Sequence, residues 1–152
     1  EGYQVLDLFL GRIPGCIGEV SAVCLIIGGI YLLVKKRIDF VIPVCYIAGV
    51  GIFGALFGDG FLFSVLSGGV ILAGIFMATD YVTSPVTAKG QAIYAIFAAL
   101  VTAVIRKFGG YPEGVTYAIL MANILTPLID KFAVPKKFGY VKKAKNAQKE
   151  AL

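Results

Sequence analysis

Apolar residues gather into five long runs separated by short polar breaks. The first covers about 18–34 and stops at Lys35-Lys36-Arg37. The second runs from Phe40 to Phe57 without a charge and breaks at Gly58-Asp59-Gly60. The third covers Phe61 to Thr79, again uncharged, and ends at Asp80. The fourth extends from about Gln91 to Ile105 before Arg106-Lys107, and the fifth from about Val115 to Ile129 before Asp130-Lys131. A helix crossing lipid needs about 20 predominantly apolar residues, with a range of about 17 to 25. The second and third runs meet that, while the fourth and fifth need flanking residues or less tilt. A buried helix of a soluble protein resembles any one of these runs. Five in succession, joined by short loops, predict an all-α membrane protein with five transmembrane helices. The predicted organisation is a lead-in at 1–17, a helical membrane domain at 18–131 and a basic tail at 132–152.

Composition agrees with that pattern. The 152 residues are 59% hydrophobic and 15% charged, with a mean hydropathy of +0.88, where a soluble domain carries roughly a quarter charged residues. Charge then gives an orientation. With five spans, Arg12, Arg106 and Lys107 fall on one face, and the other 11 of the 14 Lys and Arg fall on the opposite face. Positive charge stays inside, so the expected topology is amino terminus outside and carboxyl terminus cytoplasmic. The Lys-rich tail has few aromatic rings for stacking bases, so membrane lipid and no nucleic acid is the expected contact. The chain opens on Glu1 without a signal-like pattern, which predicts a processed or truncated product.

Several chemistries drop out. There is no histidine, and Cys16, Cys24 and Cys45 form no C-x-x-C pair, which removes nearly every zinc arrangement and His-ligated haem, and no metal residues are expected. Cys24 and Cys45 sit inside apolar runs as small hydrophobes. Gly49-x-Gly51-x-x-Gly54 matches a dinucleotide fingerprint by letter, but it lies within an apolar run, where that motif has neither its strand nor its helix start. Gly54-x-x-x-Gly58 and the glycines from Gly68 to Gly74 are read as close helix packing, with a flat wall for a planar cofactor as the alternative.

No run holds a carboxylate, lysine or arginine near its centre. The polar residues at depth are Ser64, Ser67, Thr102 and Asn123, with prolines at Pro43 and Pro127. An unpaired Asn in lipid is costly, so Asn123 is expected to make an interhelical hydrogen bond or to face a ligand. Two breaks are richer. One holds Asp80, Thr83, Ser84 and Thr87, which suit helix caps or a bound polar ligand such as a flavin edge. The other, Gly109-Gly110-Tyr111-Pro112-Glu113-Gly114, reads as a tight turn with an interfacial aromatic ring. No catalytic acid or base is indicated.

The segments Phe76 to Thr87 and Gly110 to Leu120, then Asn123 and Thr126-Pro127-Leu128-Ile129-Asp130, closely resemble the D subunit of the Rnf electron-transport complex. The lead-in Leu6-Asp7-Leu8-Phe9-Leu10-Gly11 with Ile13-Pro14-Gly15 fits the same family. The related B subunit of the sodium-pumping quinone reductase shares Thr79-Asp80 and the Tyr-Pro-Glu-Gly turn, but Tyr81 and Ser84-Pro85 look more like Rnf. The resemblance implies a ten-helix subunit of two inverted five-helix repeats, of which this chain is the second half. It implies a prokaryotic cytoplasmic-membrane complex that passes electrons between ferredoxin and NAD, coupled to Na+ or H+ movement. The other Rnf subunits and the first half of the same subunit would be its partners. It also implies FMN on a threonine, whose Ser-Gly-Ala-Thr type motif does not occur in this chain and is expected upstream, with a non-covalent riboflavin in some relatives. Asp80, Thr83, Ser84, Thr87, Tyr111, Glu113 and Asn123 are the expected cofactor-facing positions. Two other readings compete: half of an inverted-repeat transporter or channel for a small solute, and a purely structural membrane anchor.

Overall fold

In the computed structural model, residues 21–67, 69–109 and 114–133 are described, and every regular element among them is helical. Helix α1 is Ala22–Val34, α2 is Val41–Phe57, α3 is Phe61–Leu66 and α4 is Val70–Leu72. A π-helical turn, Ala73–Met77, follows α4, and the long helices α5, Ala88–Gly109, and α6, Gly114–Ala133, complete the bundle. Helix α5 is central, packed against α2 and α6.

Small residues fill much of the contact between α5 and α6, while large apolar side chains lie on the outward face of α6. On α5 the fully buried positions include Ala95, Ala98 and Ala99, and on α6 Ala118 and Ala122. Meanwhile Tyr117, Leu120, Met121, Ile124 and Leu128 line the exposed face of α6. Small residues between helices let backbones approach, and a continuous outward-facing apolar surface marks a face that meets a membrane or other protein. Helices α5 and α6 are long and apolar enough to cross a membrane. At 22 and 20 residues they extend about 33 and 30 Å, and a hydrocarbon core is about 30 Å thick.

Both helices outrun the apolar runs predicted for them. Helix α5 starts at Ala88, ahead of the predicted start near Gln91, because the Thr87 hydroxyl oxygen accepts from the Gly90 amide at 3.1 Å. Arg106 and Lys107 then continue the last turn, where basic side chains suit the helix dipole. The third run departs the other way. It is no continuous helix: α3 stops at Leu66, Ser67 is extended, and Gly69 takes a left-handed φ of 71° before α4. The π turn places an extra residue in the ladder before Thr79. Helix α1 is 13 residues long, with Ser21 as its N-cap accepting from the Cys24 amide.

The glycines sort by role. A Cβ at Gly54 would lie 2.0 Å from Ser64 Oγ, one at Gly51 2.3 Å from the Phe61 ring and one at Gly49 2.8 Å from Ala99. The dinucleotide-like spacing is therefore a helix-packing face. Gly58 departs from its expected packing role: its φ of 94° ends α2 in a left-handed cap, and nothing lies within 4 Å of a Cβ there. Cys24 is exposed and Cys45 lies partly buried against the core. Helix α6 runs through residues 132–133, the start of the predicted tail, and the lead-in and the tail from 134 on lie outside the described residues.

Candidate functional site

One end of the bundle is polar. There the end of α1, the start of α2, the segment between the π turn and α5, and the first turn of α5 enclose a cavity of about 260 Å³. Lys36, Arg37 and Asp39 line one side, Thr79, Tyr81, Ser84 and Val86 the other, and Gln91 sits beside them. Ile38, Ile42 and the buried Pro85 supply its apolar wall. Gln91 Nε2 donates to Asp39 Oδ2 at 3.2 Å, which ties the two sides together.

The residues singled out in the sequence divide here. Thr83 Oγ1 donates to Asp80 Oδ2 at 3.1 Å, and the Ser84 amide to the Asp80 carbonyl at 3.1 Å. Asp80 thus organises its own turn. Thr87 caps α5. The Val86 amide donates to Asp130 Oδ1 at 3.3 Å, so the loop is also pinned to the end of α6. Of the four loop residues, only Ser84 lines the cavity. Asn123 is elsewhere: its Oδ1 accepts from the Tyr94 hydroxyl at 2.6 Å, about 10 Å along α6 from Asp130 at 1.5 Å per residue. That is the interhelical bond expected of a polar residue at this depth. Tyr111 and Glu113 lie outside the described residues.

A second buried pair went unread in the sequence. Tyr46 and Thr102 are both fully buried, with hydroxyls 2.9 Å apart, and Thr102 Oγ1 donates to the Ala98 carbonyl at 2.8 Å. The threonine proton is spent on Ala98, so the tyrosine is the donor between them. Both hydrogen-bond chains end on an acceptor, at the Ala98 carbonyl or Asn123 Oδ1. They bolt α2 and α6 to α5. A tyrosine inside an uncharged run signals such a partner, because a buried phenol needs one.

At the opposite end, Arg106 reaches across to the break after α3. Nη1 donates to the Ser64 carbonyl at 2.9 Å and Nη2 to the Ser67 carbonyl at 2.7 Å. Lys107 Nζ donates to the Phe57 carbonyl at 2.8 Å, beside an edge-to-face contact of Phe57 with Phe108. The ends of α2 and α3 thereby receive the cations that unsatisfied C-terminal carbonyls favour. Among the described residues no group of three or more His, Cys, Asp or Glu could hold a metal.

Comparison with known proteins places this architecture. The chain is 50% identical to the D subunit of the Na(+)-translocating ferredoxin:NAD(+) oxidoreductase complex of Acetobacterium woodii, over 95% of this chain and 46% of that protein. It is 49% identical to the D subunit of the proton-translocating ferredoxin:NAD(+) oxidoreductase complex of Clostridium ljungdahlii, over 91% and 44%. With the D subunit of the ion-translocating oxidoreductase complex of Stutzerimonas stutzeri it shares 38% identity over 90% and 41%. The chain spans under half the length of these relatives. Residues 1–139 match the family described as NQR2, RnfD, RnfE, and the chain belongs to that family.

Proposed function

We propose that this chain is the second half of a D subunit in an ion-translocating ferredoxin:NAD oxidoreductase of the Rnf type, an oxidoreductase complex in which electron flow is coupled to Na+ or H+ transport. The observation that carries the reading is the 50% identity to a subunit of that description across 95% of this chain. The small residues between α5 and α6 and the large apolar side chains on the outward face of α6 support it, since they suit a membrane. In this reading the broken third run is a discontinuous span, so α1, α2, the α3 to π-turn segment, α5 and α6 make five spans. They pair with an inverted first half and with the other Rnf subunits in a prokaryotic cytoplasmic membrane, amino terminus outside and basic tail in the cytoplasm.

Flavin would supply the redox chemistry, with FMN held on a threonine upstream and riboflavin as a second group. The protein contributes position and electrostatics. A whole FMN does not fit the 260 Å³ cavity, since pockets for ligands of drug size run from about 300 to 1,000 Å³. In this reading a ring edge rests against Ser84 at the cavity, because Thr83 donates to Asp80 and Thr87 caps α5. The chain's own residues then fix distance: Asp80 and Asp130 shape the loop, and the Tyr94–Asn123 and Tyr46–Thr102 pairs hold the helices that carry it.

The test is the visible absorbance of the purified complex and its loss on dithionite reduction. A yellow complex whose flavin content and electron flux fall in Asp80→Asn with Thr83→Val supports the reading. A colourless complex with all subunits present sinks it and favours a solute transporter. Unchanged flavin content and flux in the double variant would leave the chain as an anchor.

A further inference from the structure

The turn after α1 carries a residue in an unfavourable backbone position. Lys36 has a φ of 51°, left-handed, where the other positive φ values among the described residues belong to glycines. Its amide donates to the Leu33 carbonyl at 2.9 Å and that of Arg37 to the Leu32 carbonyl at 3.0 Å. This bond pattern is the Schellman ending, in which the left-handed position normally takes glycine. A lysine there strains the backbone, because its Cβ crowds the following carbonyl. Nothing in the helix ending itself requires a side chain at that position.

Lys36 and Arg37 both line the 260 Å³ cavity. The neighbouring Lys35 does not; its ammonium sits 5.9 Å from the Tyr31 ring centroid. Beside them is one carboxylate, Asp39, with Oδ2 bonded to Gln91, and across the cavity are Tyr81 and Ser84, while the Thr79 hydroxyl donates to the Ile75 carbonyl. The lining therefore carries a net charge of +1, from two cations and one anion, against neutral donors. A neutral flat ring has little use for two adjacent cations, whereas a phosphodiester does: the guanidinium binds its oxygens as a fork and the ammonium as a point charge. The site stands at a helix end of the apolar bundle, which in the membrane reading is where lipid headgroups lie.

We propose that this cavity binds the phosphate headgroup of an anionic phospholipid, held by Lys36 and Arg37, with Ser84 and Tyr81 as neutral hydrogen-bond partners. The inference takes from the functional reading only that the bundle lies in a membrane. The experiment uses the complete complex in nanodiscs of phosphatidylcholine with a minor fraction of phosphatidylglycerol. Phosphatidylglycerol retained through detergent washing is counted by native mass spectrometry. A hydrogen bond to a charged group is worth at least about tenfold in binding, so Lys36→Gly with Arg37→Gln should retain it at least about tenfold less. Lys35→Gln should retain it as the wild type does. Lys36→Gly alone should raise the thermal midpoint while weakening retention, which separates the side chain's ligand role from its place in the turn. Equal loss in Lys35→Gln would mean only diffuse attraction to the membrane, and undiminished retention in the double variant would mean no site; either overturns the proposal. Displacement of the lipid by millimolar inorganic phosphate would assign the pocket to a free anion instead. If flavin content falls in the double variant while lipid retention holds, the lipid proposal fails and the redox reading stands.

Discussion

Arg106, near the end of α5, donates from Nη2 to the main-chain carbonyl of Ser67, 39 positions earlier, at 2.7 Å. That bond and its companion to Ser64 close a helix end within an apolar run, where water would otherwise be the acceptors' partner. The broken third segment and the long fifth helix are thus one structural unit.

Replacing Arg106 should therefore unfold the break locally. A hydrogen bond to a charged donor contributes about 1.5–3 kcal/mol, so Arg106→Ala is expected to destabilise the detergent-solubilised subunit by about 3 kcal/mol or more. Arg106→Lys keeps the charge but loses the fork, and should recover less than half of that loss. Thermal unfolding of the two variants in the same detergent measures both. A lysine variant as stable as wild type would show that charge alone matters there.

The Tyr94–Asn123 pair allows a cleaner measurement. Tyr94→Phe leaves Asn123 Oδ1 without its donor, and Asn123→Leu leaves the Tyr94 hydroxyl without its acceptor. A double-mutant cycle should give a coupling of about 0.6–1.7 kcal/mol, the range for hydrogen bonds between membrane helices. Zero coupling would mean that each group finds another partner when the first is removed.

The sequence made the helical class and the positions of the helices legible, because long uncharged runs have few alternatives. It was weaker on where helices begin, end and break. Asp80, Thr83 and Thr87 were visible as a polar cluster, but their spacing does not say that the cluster bonds mostly to itself. Ser67 to Gly69 looked like a packing stripe, since a break satisfied by Arg106 depends on a residue far along the chain. Lys36 was one of three consecutive basic residues, and only its backbone angle and its place in the cavity set it apart. Tyr46 and Tyr94 could have been flagged from their polar tips in apolar surroundings, although their partners, Thr102 and Asn123, come from other helices.

Gly54 offers a packing test, since its added Cβ would lie 2.0 Å from Ser64 Oγ and 2.5 Å from Ser64 Cβ. Gly54→Ala should cost about 1–3 kcal/mol, the range for overpacking a close contact. Ser64→Ala cannot relieve it, because the Cβ remains. Ser64→Gly removes both atoms and should restore much of the loss in the double variant, despite giving up the bond from Ser64 Oγ to the Gly60 carbonyl. Gly58→Ala would be destabilising for a different reason, its left-handed φ, and Ser64→Gly should not rescue it.

Thr87 decides between capping and ligand contact for the loop. Its oxygen accepts from the Gly90 amide and its carbonyl from the Gln91 amide at 2.8 Å, so it starts the central helix. Gln91 in turn holds Asp39 across the cavity. Thr87→Ala should cost about 1 kcal/mol, as loss of an N-cap does, and Thr87→Ser should recover nearly all of it. If capping is the whole role, flavin content in the complex follows stability, and Thr87→Ser is indistinguishable from wild type in both. A drop in flavin content with an unchanged thermal midpoint would instead place the hydroxyl against the proposed flavin. Measuring both in the same preparations separates the two roles, since a cap acts through the start of α5 and a ligand contact does not.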